Sequence, residues 1–542
     1  MTTSRRERSR VRAGLCLSGV AAAFVLCVAP ALADDETRLD RSTTEAIDSW
    51  IRAGWDDAGV KPSARATDGE FLRRAYLDIL GRIPSLKETS DFLQSRDANK
   101  RAKLVSYLLD HPDYAQNFGN FWSVVLIGRG DAGNQVNRNA LRAWLRTRFA
   151  ANDPWNEIAR ELVTASGPNT PENGATNFAL AHLDFDAVPL TSITTRVFLG
   201  QQIQCTQCHD HPSNDWKQAD FWGINAFFRG VRSREVSRTA ASGAEETAYY
   251  ELYDDPTDAF ARYDRRDGTI RIAFPTYLDG RKISQETDVD RRQELGSFIT
   301  EPENDQFARA FVNRMWGHFL GRGIVHPIDD FGDHNPPSHP ELLERLAEDF
   351  KASGYDIKQL IRWITASEPY HLSSVRTRAN ERDETYFSHM TLKPLTPEQL
   401  FESLLTATRA HQAGGGSNSD ARRDRWLRQF TFAFGNDETS EGTSFQGTIP
   451  QALMMMNGDL IDEATSSKPG SFLRELLDEA MRRKASAEFV VEKLYLAALS
   501  RPPSSKEAGA AQAMLRSGPN PNAVMEDIFW ALLNSNEFIL NH

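Results

Sequence analysis

Hydrophobic residues recur at spacings of three and four along most of this chain, which is the pattern of amphipathic α-helices. One such run covers Phe71–Leu80, and Gly81 directly after it is a typical helix stop. Ser338 with Glu341 has the spacing of a capping box, and Asp356 is a candidate N-cap for the next helix. The pattern predicts a mainly α fold made of multi-helix domains.

One stretch departs from the helical spacing and predicts a small β insert. Ala248–Tyr253 and Thr269–Phe274 have strand-like composition, and Asp279-Gly280 is a turn signal. The insert divides the chain, which we expect to contain the following parts. They are a leader (1–33), an N-terminal helical domain (34–240), the β insert (241–290), a second helical domain (291–465) and a C-terminal helical unit (466–542).

A short sequence near the beginning of the chain has a counterpart near the end. Leu77–Glu88 reads L-D-I-L-G-R-I-P-S-L-K-E, and Leu496–Glu507 reads L-A-A-L-S-R-P-P-S-S-K-E. A second pair of similar segments follows, ending at Tyr114 and Phe538. We predict a terminal repeat of a small helical unit, in which 466–542 echoes 71–118; the alternative is convergence of two helix-turn-helix sequences.

Residues 1–33 have the order of a secretory signal peptide. Five arginines precede an apolar run over Ala13–Ala29, and Ala31–Ala33 offers an A-x-A cleavage site. We therefore expect a periplasmic or secreted protein. No later apolar stretch approaches the roughly 20 residues that a spanning helix needs, so we expect no membrane span after cleavage. Two of the four cysteines, Cys16 and Cys27, lie in this leader.

The charge balance argues against nucleic acid as a partner. The chain has 63 Lys and Arg against 75 Asp and Glu, a net charge of −12. Without the five arginines and one glutamate of the leader, 58 basic and 74 acidic residues remain, a net charge of −16. An acidic protein repels the phosphate backbone.

The two cysteines outside the leader form the pattern C-x-x-C-H, which is typical of haem c attachment. Cys205 and Cys208 would form thioethers to the porphyrin, and His209 would ligate the iron. A zinc or iron site is the main alternative, because His211 adds a fourth ligand. Four ligands within seven residues are crowded for a tetrahedral site, so such a site would recruit a distant residue. A disulfide or two free thiols are the remaining interpretations.

A second axial ligand for a haem iron would come from elsewhere in the chain. His318 is a candidate, as are Met315 and the run Met454–Met456, although each is more often a core or surface residue. His211 is too close to His209 to reach the opposite face of the same iron.

Two further groups of side chains have either a site or a structural interpretation. Aromatic residues after the motif would wall a haem pocket or form ordinary helix core; they are Phe221, Trp222, Phe227 and Phe228. An acidic cluster would bind a cation or be a solvated loop; it consists of Asp329, Asp330, Asp333 and His334. No catalytic constellation is recognisable, so whether the protein is an enzyme stays open.

Several long segments resemble a known pair of domains. Cys205–Pro212, followed by Asp220–Phe228, resembles the first of two paired domains of unknown function in secreted planctomycete cytochrome-type proteins. Phe307–Leu343 and Ile449–Gly458 resemble the second. The cytochrome label implies haem at the C-x-x-C-H motif and implies nothing about a substrate.

The sequence thus predicts an exported c-type cytochrome-like protein with one covalent haem that serves electron transfer with an unidentified redox partner protein. A second hypothesis is a secreted binding or scaffolding protein with a structural zinc or iron site, working beside polysaccharide-degrading machinery. A third is a hydrolase with a metal centre.

Overall fold

The computed structural model describes residues 41–130, 133–258, 260–283, 289–412, 419–434, 455–456, 458–518 and 520–542. The predicted leader, Met454 and most of the Ile449–Gly458 segment lie outside these ranges. Within them, no helix is long and apolar enough to cross a membrane.

The chain folds mainly into α-helices with small antiparallel sheets, which confirms the predicted fold class. The helices before the β insert are α1 (41–58), α2 (Asp68–Leu80), α3 (Leu86–Gln94), α4 (Lys100–Leu109), α5 (Pro112–Ile127), α6 (Arg138–Ala151), α7 (Trp155–Thr164), α8 (Thr176–Leu180), α9 (Asp184–Leu199) and α10 (Gln218–Phe228). Phe185–Ala187 of α9 have left-handed backbone angles, so regular helix starts after them.

The remaining helices follow the insert. They are α11 (Arg291–Ile299), α12 (Asp305–Leu320), α13 (Pro340–Ala352), α14 (Ile357–Ala366), α15 (Pro397–Thr408), α16 (Ser419–Phe434), α17 (Asp459–Thr465), α18 (Phe472–Arg483), α19 (Ala487–Leu499), α20 (Ser505–Ser517), α21 (Pro521–Leu533) and α22 (Asn536–Ile539).

Two helix boundaries agree with the capping signals in the sequence. Helix α2 ends at Gly81, whose φ of 72° is left-handed and therefore favours glycine. The side chain of Asp356 accepts a hydrogen bond from the backbone N–H of Gln359 and so caps α14.

The predicted capping box at Ser338 is wrong. Helix α13 has His339 at the N-cap and Pro340 at its first position, and His339 makes no side-chain capping bond. Ser338 instead donates from both its backbone N–H and its hydroxyl to the carbonyl oxygen of Ile324. A bond across the loop has replaced the local cap.

The described part of the chain contains short antiparallel strands. The strands are β1 (Gly167–Pro168), β2 (Val231–Thr239), β3 (Glu245–Asp254), β4 (Ala261–Asp264), β5 (Ile270–Ala273), β6 (Lys393–Pro394) and β7 (Leu540–Asn541). The β insert consists of β2–β5. Strand β3 pairs with β1 and β2, β4 pairs with β5, and β6 pairs with β7. The predicted strands correspond to β3 and β5, but the sheet begins at Val231, ahead of the boundary at 241.

The buried residues form two hydrophobic cores. The larger core is built by α1–α14 and contains Trp122, Trp155 and Trp316. The smaller one combines α15–α22 with two residues of the N-terminal part, Leu77 and Ile83. Helix α2 therefore contributes to both cores and joins the two helical regions.

Arg82, just after α2, holds the first of the two similar terminal units together. Its guanidinium donates to Glu88 and to Asp113, and it lies over the ring of Tyr76 at 5.3 Å. The turn between α2 and α3 is thereby tied to the start of α5.

Arg501, at the equivalent position of the second unit, makes the same kinds of contact. It donates to Glu507 and Glu537, and it lies over the ring of Tyr495 at 5.7 Å. Arg82 and Arg501, which correspond in the sequence, therefore each contact two carboxylates and one tyrosine ring at corresponding positions.

A buried carboxylate on α2 joins three distant parts of the chain. Asp78 accepts hydrogen bonds from the hydroxyl of Tyr370 (2.9 Å), the ammonium of Lys393 (2.6 Å) and the amide of Asn541 (2.7 Å). We call these four residues the Asp78 cluster. Because burial of an unpaired charge is costly, the cluster fixes how these segments pack.

Candidate functional site

The C-x-x-C-H segment lies between α9 and α10 and begins with a 3₁₀ turn over Gln204–Gln207. Ile203 and Thr206 are fully buried and anchor this turn to the protein. The hydroxyl of Thr206 donates to the carbonyl oxygen of Ile203 at 2.6 Å. Buried anchors hold the backbone of the turn while the neighbouring side chains stay at the surface.

Helix α10 and the β4–β5 hairpin hold the other end of the turn. The side chains of Gln218 and Trp222 both donate to the carbonyl oxygen of Gln207, at 3.1 and 3.0 Å. The ring of Trp222 stacks in parallel on Tyr263 at 5.5 Å. The structure thus gives Trp222 a supporting role beneath the motif.

The other three aromatic residues that follow the motif are in the core. Phe221, Phe227 and Phe228 are at most 1% exposed and pack inside the protein. This agrees with the helix-core interpretation of these residues.

Cys205 and Cys208 are both exposed, and both are free thiols. They are not joined in a disulfide in this structure. Exposed free thiols are the form that reacts to make a thioether.

The ring of His209 has a defined hydrogen bond on one side. Its Nδ1 lies 2.7 Å from the carbonyl oxygen of Asp210. A carbonyl oxygen only accepts, so Nδ1 carries the proton, and the neutral ring keeps its lone pair on Nε2. A histidine that binds a metal through Nε2 characteristically donates its other N–H to a carbonyl or carboxylate oxygen. His209 therefore has the tautomer of a metal ligand.

His211 has the opposite arrangement. Its Nδ1 accepts from the backbone N–H groups of Ser213 (3.2 Å) and Asn214 (3.0 Å), so the proton of the neutral ring is on Nε2. Burial, and next the neighbouring His334, lower the pKa of His211. In the neutral ring, Nδ1 accepts these two bonds and Nε2 carries the proton, so no lone pair is free, which does not suit the ligand role that the zinc hypothesis gives His211.

His318 lies in the interior on α12. Its Nε2 donates to the backbone carbonyl of Asp78 at 3.0 Å, and its ring packs against Phe118 and Phe121. Burial lowers the pKa of His318. None of these contacts is with the C-x-x-C-H segment, so the structure does not bring His318 to the motif.

Three of the methionine candidates, Met315, Met455 and Met456, lie in the described ranges. Met315 is fully buried in the larger core, and Met455 is buried in the smaller one. Met456 is exposed.

The acidic cluster lies next to the C-x-x-C-H segment through His334, which contacts Asn214. The sequence alone did not predict this proximity. His334 lies 3.0 Å from a carboxylate oxygen of Asp330 and 2.9 Å from the side-chain oxygen of Asn214, and its ring is 6.4 Å from that of His211. A Cβ at Gly332 would collide with Asn214. A larger residue at 332 would therefore displace the side chain of Asn214 from its contact with His334.

The rest of the acidic cluster is divided. Asp329 pairs with Arg314, whereas Asp333 is exposed. In the ranges given above, no group of three or more His, Cys, Asp and Glu residues is placed to hold a metal ion.

A cleft of about 1250 Å³ lies beside this loop. Gln202 and Asp330 belong to its lining, and so does His318. Cys205, Cys208 and His209 do not. The cleft and the motif are thus neighbouring features with separate linings.

Two family models match the chain. One, described as "PSCyt2: Protein of unknown function (DUF1549)", matches residues 46–233, and the other, "PSD1: Protein of unknown function (DUF1553)", matches residues 291–429. The chain is mainly α-helical and is similar, over these two ranges, to two domains of unknown function. In order, these are DUF1549, which contains the C-x-x-C-H motif, and DUF1553, with most of the β insert between them. A comparison with curated proteins and one with solved structures found no match.

Proposed function

We propose that the protein is an exported c-type cytochrome-like protein that carries one covalent haem and transfers electrons. The observation that supports this best is the hydrogen bond from Nδ1 of His209 to the carbonyl oxygen of Asp210, next to two exposed free thiols. The bond leaves Nε2 of His209 with the lone pair that iron ligation needs.

The tautomer of His209 and the two exposed thiols support attachment of a haem at the motif. Cys205 and Cys208 would hold the porphyrin through thioethers, and His209 would ligate the iron. A bound haem supplies reversible one-electron transfer. The surface position of the motif suits electron exchange with a partner protein, and the anchored turn beneath it keeps the ligand in place.

The alternative is a secreted binding or scaffolding protein with a structural zinc or iron ion. A four-ligand site at Cys205, Cys208, His209 and His211 would require His211 to bind the metal. To bind the metal through Nδ1, His211 must give up the two hydrogen bonds that Nδ1 accepts from backbone N–H groups. To bind it through Nε2, the ring must lose the proton on that nitrogen. This cost favours haem over zinc.

The first test is the covalent attachment itself. Protein made together with haem c maturation machinery should show a pyridine haemochrome spectrum with about one haem per chain. Changing Cys205 and Cys208 to Ser should abolish covalent haem, as seen by haem staining after denaturing electrophoresis. Colourless wild-type protein that contains one equivalent of zinc would overturn the proposal in favour of the structural metal.

The second test separates the two histidines of the motif. His209→Ala should leave haem attached but shift its absorption spectrum and its reduction potential, because the iron loses its proximal ligand. His211→Ala is the matched control and should keep the wild-type spectrum. Equal spectral changes in both variants would contradict the assignment of His209.

A further inference from the structure

The lining of the cleft beside the motif combines apolar and charged residues. The apolar lining residues, which we call the apolar wall, come from α5, α9 and the segment before β6 and include Phe121, Val125, Ile193, Val197 and Phe387. The arginine, histidine and carboxylate side chains of the lining are its polar wall. Ligand sites in proteins usually have volumes of roughly 300–1,000 Å³ and combine apolar walls with a few polar groups. At about 1250 Å³ the cleft is somewhat larger than this range, and its lining has the make-up of a site for an organic molecule.

The buried carboxylates along the polar wall already have partners inside the protein. Each of three carboxylates forms an ion pair with one cationic side chain. The pairs are Asp78 with Lys393, Glu398 with Arg129, and Asp329 with Arg314. Asp383 accepts from the hydroxyl and the backbone of Ser388 and from other backbone N–H groups. Asp330 pairs with His334. These acceptors therefore have partners, and the remaining carboxylate of the lining, Glu384, is exposed.

Two arginines of the lining have spare donors instead. Arg322 makes no hydrogen bond or ion pair with any residue in the described ranges. Arg376 makes one bond, from Nη1 to the backbone carbonyl of Glu381 at 2.9 Å. Asp and Glu side chains are equal in number to Lys and Arg side chains along the lining, so the cleft has no excess of positive charge. What distinguishes Arg322 and Arg376 is their unused hydrogen-bond donors. The cleft therefore offers N–H donors without a protein acceptor, on the half-buried Arg322 and the exposed Arg376.

Three buried polar atoms of the lining support the same conclusion. Nε of Arg314, Nδ1 of His389 and Oδ1 of Asn541 have no hydrogen-bond partner, and all three residues are less than 10% exposed. Buried polar groups in folded proteins are nearly always hydrogen-bonded. Unsatisfied groups gathered around one cleft indicate that a ligand or ordered water completes them.

We propose that this cleft binds an organic acid, with its carboxylates on Arg322 and Arg376 and its apolar body against α5 and α9. Guanidinium groups bind carboxylates with short, charge-assisted hydrogen bonds, and often in pairs. The apolar wall adds binding free energy in proportion to the apolar area that it covers. This inference does not depend on haem, because the cleft and the motif share no lining residue.

Phthalate and benzoate are suitable probes, because both combine an aromatic body with carboxylates. Isothermal titration calorimetry should show saturable binding of phthalate to the full chain, and weaker binding of benzoate. Benzyl alcohol, inorganic phosphate and glucose should each bind at least about tenfold more weakly than phthalate, since each lacks either the carboxylate or the apolar body.

The variants Arg322→Gln and Arg376→Gln should each weaken phthalate binding by about tenfold. Neither residue has an ion pair that the substitution would break, so both variants should melt at the wild-type temperature. Arg482→Gln, an exposed arginine outside the cleft, is the matched control and should bind as the wild type does. Absence of saturable carboxylate binding, unchanged affinity in both cleft variants, or tighter binding of glucose or phosphate than of phthalate would each overturn the proposal.

Discussion

His209 and His211 are two residues apart, but the local backbone gives their rings opposite tautomers. A carbonyl oxygen faces Nδ1 of His209, whereas two N–H groups face Nδ1 of His211. Only the first arrangement leaves Nε2 free to bind a metal. The choice of histidine ligand therefore depends on the backbone groups that follow each histidine. The residue types in the motif do not determine it.

His371 provides a prediction at the same scale. Arg65 and Arg101 donate to its Nδ1, and its ring stacks on Phe71 at 4.8 Å. Burial, and next Arg101, lower the pKa of His371 to about 3. As the pH falls below 6.5, His371 therefore binds a proton in the unfolded chain, whereas in the folded protein it does so only near pH 3. Stability should be greatest above pH 6.5 and should fall as the pH falls from 6.5 towards 3.

His371→Gln should flatten this pH dependence. Between pH 6.5 and 4 the wild-type free energy of unfolding should fall more steeply than that of the variant, by up to about 1.4 kcal/mol per pH unit. Urea unfolding at a series of pH values measures both slopes. Parallel slopes for the two proteins would show that His371 does not contribute.

At the scale of elements, a helix boundary was predictable where no tertiary hydrogen bond draws the capping group away from its helix. Gly81 and Asp356 act on their own helices, and both predictions hold. Ser338 has the right neighbours for a cap but is drawn to the carbonyl of Ile324, fourteen residues away. A tertiary hydrogen bond cannot be deduced from the spacing of Ser338 and Glu341, and it removes the hydroxyl from α13.

The two arginines of the terminal units should differ in their contributions to stability. Arg82 has a side chain only 16% exposed, and its removal leaves Glu88 and Asp113 without their partner, so Arg82→Ala should destabilise the protein by about 2–4 kcal/mol. Arg501 is 32% exposed, and solvent screens its pairs, so Arg501→Ala should cost about 1–2 kcal/mol.

Urea unfolding of the two alanine variants measures this difference. Arg82→Lys and Arg501→Lys are controls that keep the charge but lose the forked geometry, and each should lie between the wild type and its alanine variant. A larger loss for Arg501→Ala than for Arg82→Ala would contradict the ranking.

At the scale of the whole molecule, the surroundings of the motif depend on distant pairing. The C-x-x-C-H spacing is visible in the sequence, but Asn214 and His334 are 120 residues apart and meet only in the folded protein. The cleft likewise combines residues from α5, α9, the loop after α12 and the segment before β6. Hydrophobic periodicity predicts elements and not which loops meet, so this part of the site could not be predicted.

The Asp78 cluster leads to a prediction for global stability. Asp78→Ala would leave the buried ammonium of Lys393 without its carboxylate, so it should destabilise the protein by about 3–5 kcal/mol. Asp68→Ala, on the same helix but with a side chain 37% exposed, is the control and should cost about 1 kcal/mol or less. Urea unfolding measures both, and similar losses would show that the cluster contributes little.

Asp78 and Asn541 are separated by 463 residues, which has a consequence for the order of events during synthesis. Helix α2 leaves the ribosome early, yet Arg73 donates to the carbonyls of Ala498 and Phe538, and Arg74 donates to that of His542. Until those residues have been made, the buried guanidinium of Arg73 lacks both carbonyl acceptors, although Arg74 can already donate to the carbonyls of Tyr370 and Leu372. The polar contacts of α2 should therefore be completed only after residues 498–542 have been synthesised, and until then α2 should be more sensitive to proteases than in the finished protein.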